Sequence, residues 1–535
     1  MASSQEDYDS WERFTLICKP EQSGKTFIMI KMINEDLSDT TDSKNVVNFI
    51  FCDNNLLLTK QTSERVNSDV LPYTDQTYVE FSSRNDGQAQ RNSSDVIHKI
   101  ICRDIRNIIC CTNGTRVSDI STIIEDLNAG PYTKDKFIIK IWLDEADKFT
   151  KFIGNTFRKI VNNHNNVYVF CLTATPKVLF DKYSYINVLP LESTTREDYH
   201  GWGDNKLVIL DKCVESTEVF IHDVLSNIEK PKRGTKWYIP ADKKKRSHQM
   251  VRDILIAKTF AVFIVNGDGI TLSLPNIGRS NYTEEKNDQL NKQILKMYRK
   301  YELHNYAVAI TGNICVGRGI SIMSPEFTFD FAILSNCTKK AEASQNAGRL
   351  KGNIKKWPNY KPPVVYTTKK FDKVAREWEE KSRKLAVKAF EKLENGENTI
   401  ITKTGFKTLS NAYEYIKHPN LFADMNEVRT FLAQEHIYRD CMGLEKAPRP
   451  KGVMNKIREQ CDGYALTTKL LKKGEKASDL TKENRLTKEM ADAIGEGSCI
   501  STKKGSRYLI LPVYESLDSL PNQELYQVRY LKFKN

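Results

Sequence analysis

The stretch Phe14-Thr15-Leu16-Ile17-Cys18-Lys19-Pro20-Glu21-Gln22-Ser23-Gly24-Lys25-Thr26, running on into Phe27 to Met32, decides the fold. A short apolar run, a loop bearing Pro and Gly, and a helix start make a strand, loop, helix unit. Similar apolar runs recur at Val46 to Phe51, Phe137 to Leu143 and Val167 to Leu172, each bounded by polar or turn-forming residues. The segments between them are long enough for helices, so the pattern predicts an α/β fold with a parallel sheet.

The loop carries its own chemistry. Phosphate binding needs backbone N–H groups converging at a helix N-terminus, a Lys to meet the β and γ oxygens, and a hydroxyl to hold Mg²⁺. Ser23, Gly24, Lys25 and Thr26 supply these. Lys19 stands where such loops usually begin with Gly, and Gln22 where a second Gly is common. Taken alone, Gly-Lys-Thr also fits an ordinary turn before a helix. Asp144 and Glu145 follow the run ending at Leu143, which places them at the carboxyl end of a strand, where open α/β sheets bind ligands. Asp144 would hold Mg²⁺, directly or through water, and Glu145 would accept a proton from the attacking water. An acidic helix start is the structural alternative.

These segments, with Thr173-Ala174-Thr175 and Gln345-Asn346-Ala347-Gly348-Arg349 downstream, resemble the core of a superfamily 2 helicase with a DEAD-type second motif, over roughly residues 12 to 368. The resemblance implies two tandem RecA-like domains that clamp ATP and Mg²⁺ between them. It implies that Thr173 and Thr175 couple the ATP site to nucleic-acid movement. It places strand contacts within Cys52 to Gln61, and at Thr112 to Arg116. Thr311-Gly312 and Gly317-Arg318-Gly319-Ile320-Ser321 resemble a motif that touches both strand and nucleotide, with Thr311 and Arg318 on the strand side and Gly319 on the nucleotide side. Ser321 stands where many relatives carry Asp. Gln345 and Arg349 resemble the motif whose arginine reaches across the interdomain cleft to the γ-phosphate. Relatives often carry a second arginine three positions later, where this chain has Gly352, with Lys351 beside it as a candidate substitute.

The 535 residues exceed one hydrophobic core, and the division expected is 1–195, 196–368, a helical connector 369–395 and an accessory α+β region 396–535. The polar connector Leu191 to Asn205 offers little to bury and marks the first boundary. A second strand-and-helix series runs from Lys236 to Ile239, Ala261 to Val265, Ala307 to Thr311, Phe329 to Leu334 and Pro363 to Tyr366. Lys369 to Asn395 then shows helical spacing of Phe371, Val374, Trp378, Leu385 and Phe390.

Lys plus Arg number 81 against 68 Asp plus Glu, a net charge of +13 that suits a polyanionic partner. Twelve cysteines show no Cys-x-x-Cys spacing and sit mostly in apolar runs, which predicts buried reduced thiols and an intracellular, soluble protein, in cytoplasm or nucleus, rather than a zinc site. No apolar stretch approaches the ~20 residues needed to span a bilayer. Asn266-Gly267-Asp268-Gly269 reads as a turn. The run Lys243-Lys244-Lys245-Arg246 is either a solvated patch or a phosphate grip. Gly405 to Thr408, Arg507 to Tyr514, Tyr526 and Tyr530 mix basic and aromatic residues. They read either as a base-stacking surface or as the core of a small domain.

The reading is a nucleic-acid-dependent ATPase that translocates on or unwinds its track. The alternatives are an ATP-gated clamp without processive unwinding, and a relic that no longer turns over. DNA is preferred over RNA because no counterpart of the adenine-reading glutamine segment of RNA helicases precedes the loop. The compact N-terminus and the endings Gly-Arg-Gly-Ile-Ser and Gln-x-x-Gly-Arg-Leu-Lys-Gly resemble helicases of large DNA viruses. Replication, recombination or transcription proteins are conceivable partners.

Overall fold

The computed structural model describes residues 13–38, 45–52, 56–71, 78–81, 89–90, 92–130, 136–183, 185–210, 216–266, 269–275, 278–281, 289–312, 322–335, 340–409, 413–434, 487–488, 491 and 508–533, the last without 517 and 521. The first sheet is built from β1 (Phe14–Cys18), β2 (Val46–Cys52), β3 (Val79–Phe81), β4 (Ala89–Gln90), β5 (Asn107–Cys111), β6 (Ile138–Asp144), β7 (Val167–Thr173) and β8 (Tyr185–Val188). Their order is β8-β1-β7-β6-β2-β5-β3-β4, all parallel. All seven residues of β2 and all five of β5 are buried. The period-two alternation sends Val47, Phe49 and Phe51 into one apolar layer and Ile50 and Cys52 into the opposite one. Both faces are therefore covered, as a parallel sheet requires.

The second sheet comprises β9 (Lys206–Leu210), β10 (Lys236–Tyr238), β11 (Phe260–Asn266), β12 (Gly269–Leu274), β13 (Gly278–Asn281), β14 (Ala307–Gly312), β15 (Phe331–Leu334) and β16 (Val364–Thr368). The order is β9-β16-β15-β10-β14-β11-β12-β13, parallel as far as β11 and antiparallel across β12 and β13. Asn266 pairs with Gly269, whose φ is +105°, so β11 and β12 form the hairpin that the Asn-Gly-Asp-Gly segment predicts. Two tandem α/β units of RecA-like architecture result.

The helix Lys369–Glu394, roughly 39 Å long at 1.5 Å per residue, ties the units together. Its start is capped by the Thr368 hydroxyl, which accepts from the Phe371 N–H at 3.1 Å. Phe371, Val374, Ala375 and Trp378 enter the core of the second unit, and Leu385, Ala386 and Ala389 that of the first. Ile400–Thr402 then adds antiparallel to the outer edge of β8, so the chain returns to the first sheet before leaving it.

The connector from Leu191 to Asn205 departs from the expectation that it buries little. Trp202 is fully buried; its indole N–H donates to Asp372 Oδ1 at 2.8 Å and its backbone N–H to Glu379 Oε2 at 2.8 Å. Tyr199–His200 pairs with Gly352–Asn353. Average polarity hid these aromatics, and Gly201 admits the long helix at close range, since a Cβ there would lie 2.4 Å from Glu379 Oε1.

Beyond Lys403, an antiparallel sheet ordered Tyr413–Lys417, Leu525–Phe533, Tyr508–Val513 packs with the helix Met425–Gln434 around Val428, Val528 and Tyr530. Tyr514 and Tyr530 are buried, and Phe406 stacks on Phe180 of the first unit with centroids 4.4 Å apart. Phe406, Tyr514 and Tyr530 are therefore core residues, with Phe422, Phe431 and Tyr526 partly buried beside Tyr530. Arg507 and the residues from 435 to 486 lie outside the described part. Among the described cysteines, Cys18, Cys52, Cys110, Cys111 and Cys171 are buried free thiols and Cys102 is exposed. Among the described residues, no helix is long and apolar enough to cross a membrane.

Trp202→Ala is expected to cost about 3–5 kcal/mol, as for large buried aromatics. A urea unfolding curve with its midpoint unchanged would contradict this role for the connector.

Candidate functional site

The order β8-β1-β7-β6-β2-β5 brings the carboxyl ends of β1, β7 and β6 together, and with them the segments that follow each strand. After β1 the chain turns through Gln22 at φ 58° and Gly24 at φ 95°. Both are left-handed conformations that glycine adopts most easily. This explains why a glycine is common where Gln22 stands, and why Gly24 cannot be replaced without strain. Ser23 closes the turn, its hydroxyl donating to the Pro20 carbonyl at 2.7 Å. Lys25 opens the helix Lys25–Ser38, so the loop's N–H groups lie at a helix N-terminus.

At the end of β6, Asp144 accepts the Glu145 N–H at 3.1 Å. Glu145 takes φ 58°, ψ 47°, a left-handed backbone unusual for a residue with a side chain. Such strain persists where the surroundings over-determine it, and it gathers at functional sites. Burial pushes the Asp144 carboxyl above its usual range, against the pull of Lys25 and Arg65. The Thr173 hydroxyl donates to Asp147 Oδ1 at 3.0 Å and accepts the Thr175 N–H at 2.9 Å. Ser382 of the long helix donates to the Ala174 carbonyl at 2.6 Å. The segments after β6 and β7 are thus linked to each other and to the strut between the units.

A cleft of about 230 Å³ opens between the two units. Gly24, Lys25, Thr26, Asp144 and Glu145 line it from the first, and Gln345, Gly348, Arg349 and Asn353 from the second. Gln345 and Arg349 come from the helix Lys340–Ala347 and the turn that follows it, and both are buried. Gln345 Nε2 is a buried donor with no hydrogen-bond partner. Such a group costs stability unless something in the cleft accepts from it.

Arg65, Thr62 and Phe27 also line this cleft and were missed in the sequence. Arg65 donates to the Thr26 hydroxyl at 3.3 Å; burial lowers its pKa and Asp144 opposes the drop. No local pattern singles out this arginine, because the helix Leu56–Asp69 brings it to the cleft only in the folded chain. Lys351, the candidate substitute for a second arginine, does not line the cleft; it is fully buried between Glu21 and Glu379.

The residues assigned to strand contact lie elsewhere. Thr112 follows β5, with its hydroxyl donating to the Cys52 carbonyl at 2.6 Å, so it joins the ends of β2 and β5. Arg116 pairs with Asp119 at 3.0 Å and covers the Phe81 ring at 4.2 Å. Gln61 is buried on the helix after β2, and Thr311 is buried near the end of β14. None of these four lines the cleft. Arg318 and Gly319 fall outside the described residues. Lys243 pairs with Glu342 at 2.5 Å. No group of His, Cys, Asp and Glu among the described residues forms a metal cluster.

Residues 6–178 match the family described as Type III restriction enzyme, res subunit. The match takes in Gly24 to Thr26, Asp144 to Asp147 and Thr173 to Thr175. No curated protein sequence matches the chain. Among solved structures, the chain is similar to the DUF1998 helicase MrfA bound to DNA, at 12% identity and a TM-score of 0.39 over 68% of this chain and 46% of that one. It is similar to the ATP-dependent Type ISP restriction-modification enzyme LlaBIII bound to DNA, at 14% and 0.41 over 73% and 30%. Dbp5 of S. cerevisiae, bound to Gle1 and IP6, gives 14% and 0.35 over 69% and 81%. The chain thus spans less than half the length of the first two.

The raised Asp144 pKa has a measurable consequence. With its folded value above the unfolded one, the protonated carboxyl favours the folded chain at low pH, and that contribution is lost as pH climbs through the folded pKa. Asp144→Asn is therefore expected to raise the nucleotide-free Tm over the wild type, by a margin that grows as pH rises above about 4, the ordinary carboxylate pKa. A margin that shrinks with pH would contradict it.

Proposed function

We propose that this chain is a nucleic-acid-dependent ATPase motor that translocates on or unwinds its track, with DNA the preferred polymer. The observation that carries the reading is the meeting of Lys25, Thr26, Asp144 and Glu145 of one unit with Gln345 and Arg349 of the other across a single cleft. The cleft fits Mg²⁺·ATP: a glycine-bearing loop at a helix N-terminus for the phosphates, a hydroxyl and a carboxylate for the metal, and an unsatisfied amide donor facing them.

Bound Mg²⁺·ATP would supply the phosphoanhydride to be cleaved and a cation that offsets the charge of its phosphates. Lys25 would neutralise phosphate oxygens, Thr26 and Asp144 would hold the metal, and Glu145 would orient the attacking water and take its proton. From the second unit Arg349 would meet the γ-phosphate, and the Gln345 amide would donate to the same ligand. A site shared by two units is complete only when they close on each other, so hydrolysis and inter-unit geometry are coupled. The links from Thr173, Thr175 and Ser382 give that coupling a route to the long helix.

Thr112, Arg116 and Gln61, near the carboxyl ends of β2 and β5, with Thr311 and Arg318 in the second unit, are inferred to contact the strand. Backbone contact of this kind is largely independent of sequence and weakens steeply with salt. The short resemblances of Gly317 to Ser321 and Gln345 to Gly352 to helicases of large DNA viruses support DNA.

Arg349→Ala is expected to lower kcat by about 10³-fold or more while nucleotide binding is largely kept, as for arginine fingers elsewhere. Lys25→Ala should weaken nucleotide binding itself. Single-turnover hydrolysis beside a nucleotide titration separates the two, and an Arg349→Ala enzyme with wild-type kcat would overturn the two-unit site.

A further inference from the structure

Glu21 places a carboxylate inside the loop assigned to a polyphosphate, where its charge would repel the ligand. The structure shows what opposes it. Lys351 Nζ lies 3.1 Å from Glu21 Oε2 and 3.0 Å from Glu379 Oε2, and the lysine is fully buried. Ser344 donates to the other Glu21 oxygen, and the Tyr199 hydroxyl donates to the Glu21 carbonyl at 3.0 Å. Glu379 is further held by the Trp202 N–H at 2.8 Å and by Arg383 at 2.9 Å. Glu21 belongs to the first unit, Lys351 and Ser344 to the second, and Glu379 to the long helix.

We propose that Glu21, Lys351 and Glu379 form a buried ionic clasp that fastens the phosphate loop to the second unit, making Lys351 a positioning residue for the loop instead of a second arginine-like finger. A lysine spent on two buried carboxylates is not available to a phosphate in the same arrangement. Burial lowers the pKa of Lys351, but Glu21 and Glu379 outweigh it and leave the value raised, so the Lys351 ammonium is charged at neutral pH.

The glycines around the clasp fit the same role. A Cβ at Gly348 would sit 2.7 Å from Glu21 Cβ and Cγ, so only glycine lets the second unit come this close to the loop. Gly352, where relatives often place a second arginine, has φ +144° and lies against Gln22. Gly352 carries no cation, and the neighbouring Lys351 holds the loop.

The proposal rests on reading Gly24 to Thr26 as the ATP site, but its test needs no nucleotide. Hydrogen exchange at the amides of residues 19–24, excluding Pro20, is measured in the full chain as wild type, Lys351→Met, Glu21→Gln and the double variant. Glu21→Gln leaves Lys351 paired with Glu379 and is the milder change. Each single variant is expected to speed loop exchange by roughly tenfold or more while β2 keeps its wild-type rates, with the double showing less than the sum. Lys351→Arg should restore most of the protection. Wild-type loop exchange in both single variants, or additive effects, would overturn the clasp. So would a Lys351→Met protein whose only defect is slow hydrolysis, because that is the behaviour of a nucleotide-contacting residue. Should the wild type prove inactive on ATP, the exchange result still decides the clasp.

Discussion

Charged side chains can be buried between two sheets only if they are balanced by partners of opposite charge. The cleft solves this with opposed pairs. Lys25 and Arg65 face Asp144, and Lys351 faces Glu21 and Glu379. The balance is incomplete, since Asp144 remains raised by burial and Gln345 keeps an unsatisfied donor. A nucleotide with its metal would complete it, which ties binding energy to the geometry of both units.

The fold serves that balance. Parallel β1, β7 and β6 bring three loops to one edge, and left-handed turns at Gln22, Gly24 and Glu145 aim them. The long helix buries one end in each unit and carries Glu379 and Ser382 to the phosphate loop and to Ala174. One helix is therefore linked both to the loop after β1, through Lys351, and to the segment after β7.

Much of this was legible in the sequence. Strands β1, β2, β6 and β7 are continuous apolar runs because both faces of the sheet are covered, and that signal is local. Gly24, Lys25 and Thr26, and Asp144 with Glu145, are contiguous because each set is a single turn at a strand end. Glu21 and Arg65 gave no such signal, since their partners come from other elements and only tertiary packing unites them. Trp202 was hidden by the polar residues around it, and Lys351 stood as a candidate substitute for a second arginine because sequence spacing does not show what a side chain is paired with.

The most direct test of the central claim is steady-state ATP hydrolysis by the full chain with Mg²⁺, alone and with single-stranded DNA, duplex DNA or RNA. The account predicts turnover stimulated strongly by one polymer, DNA before RNA, and abolished in Glu145→Gln. Absence of hydrolysis with every polymer, or hydrolysis indifferent to all of them, would contradict it.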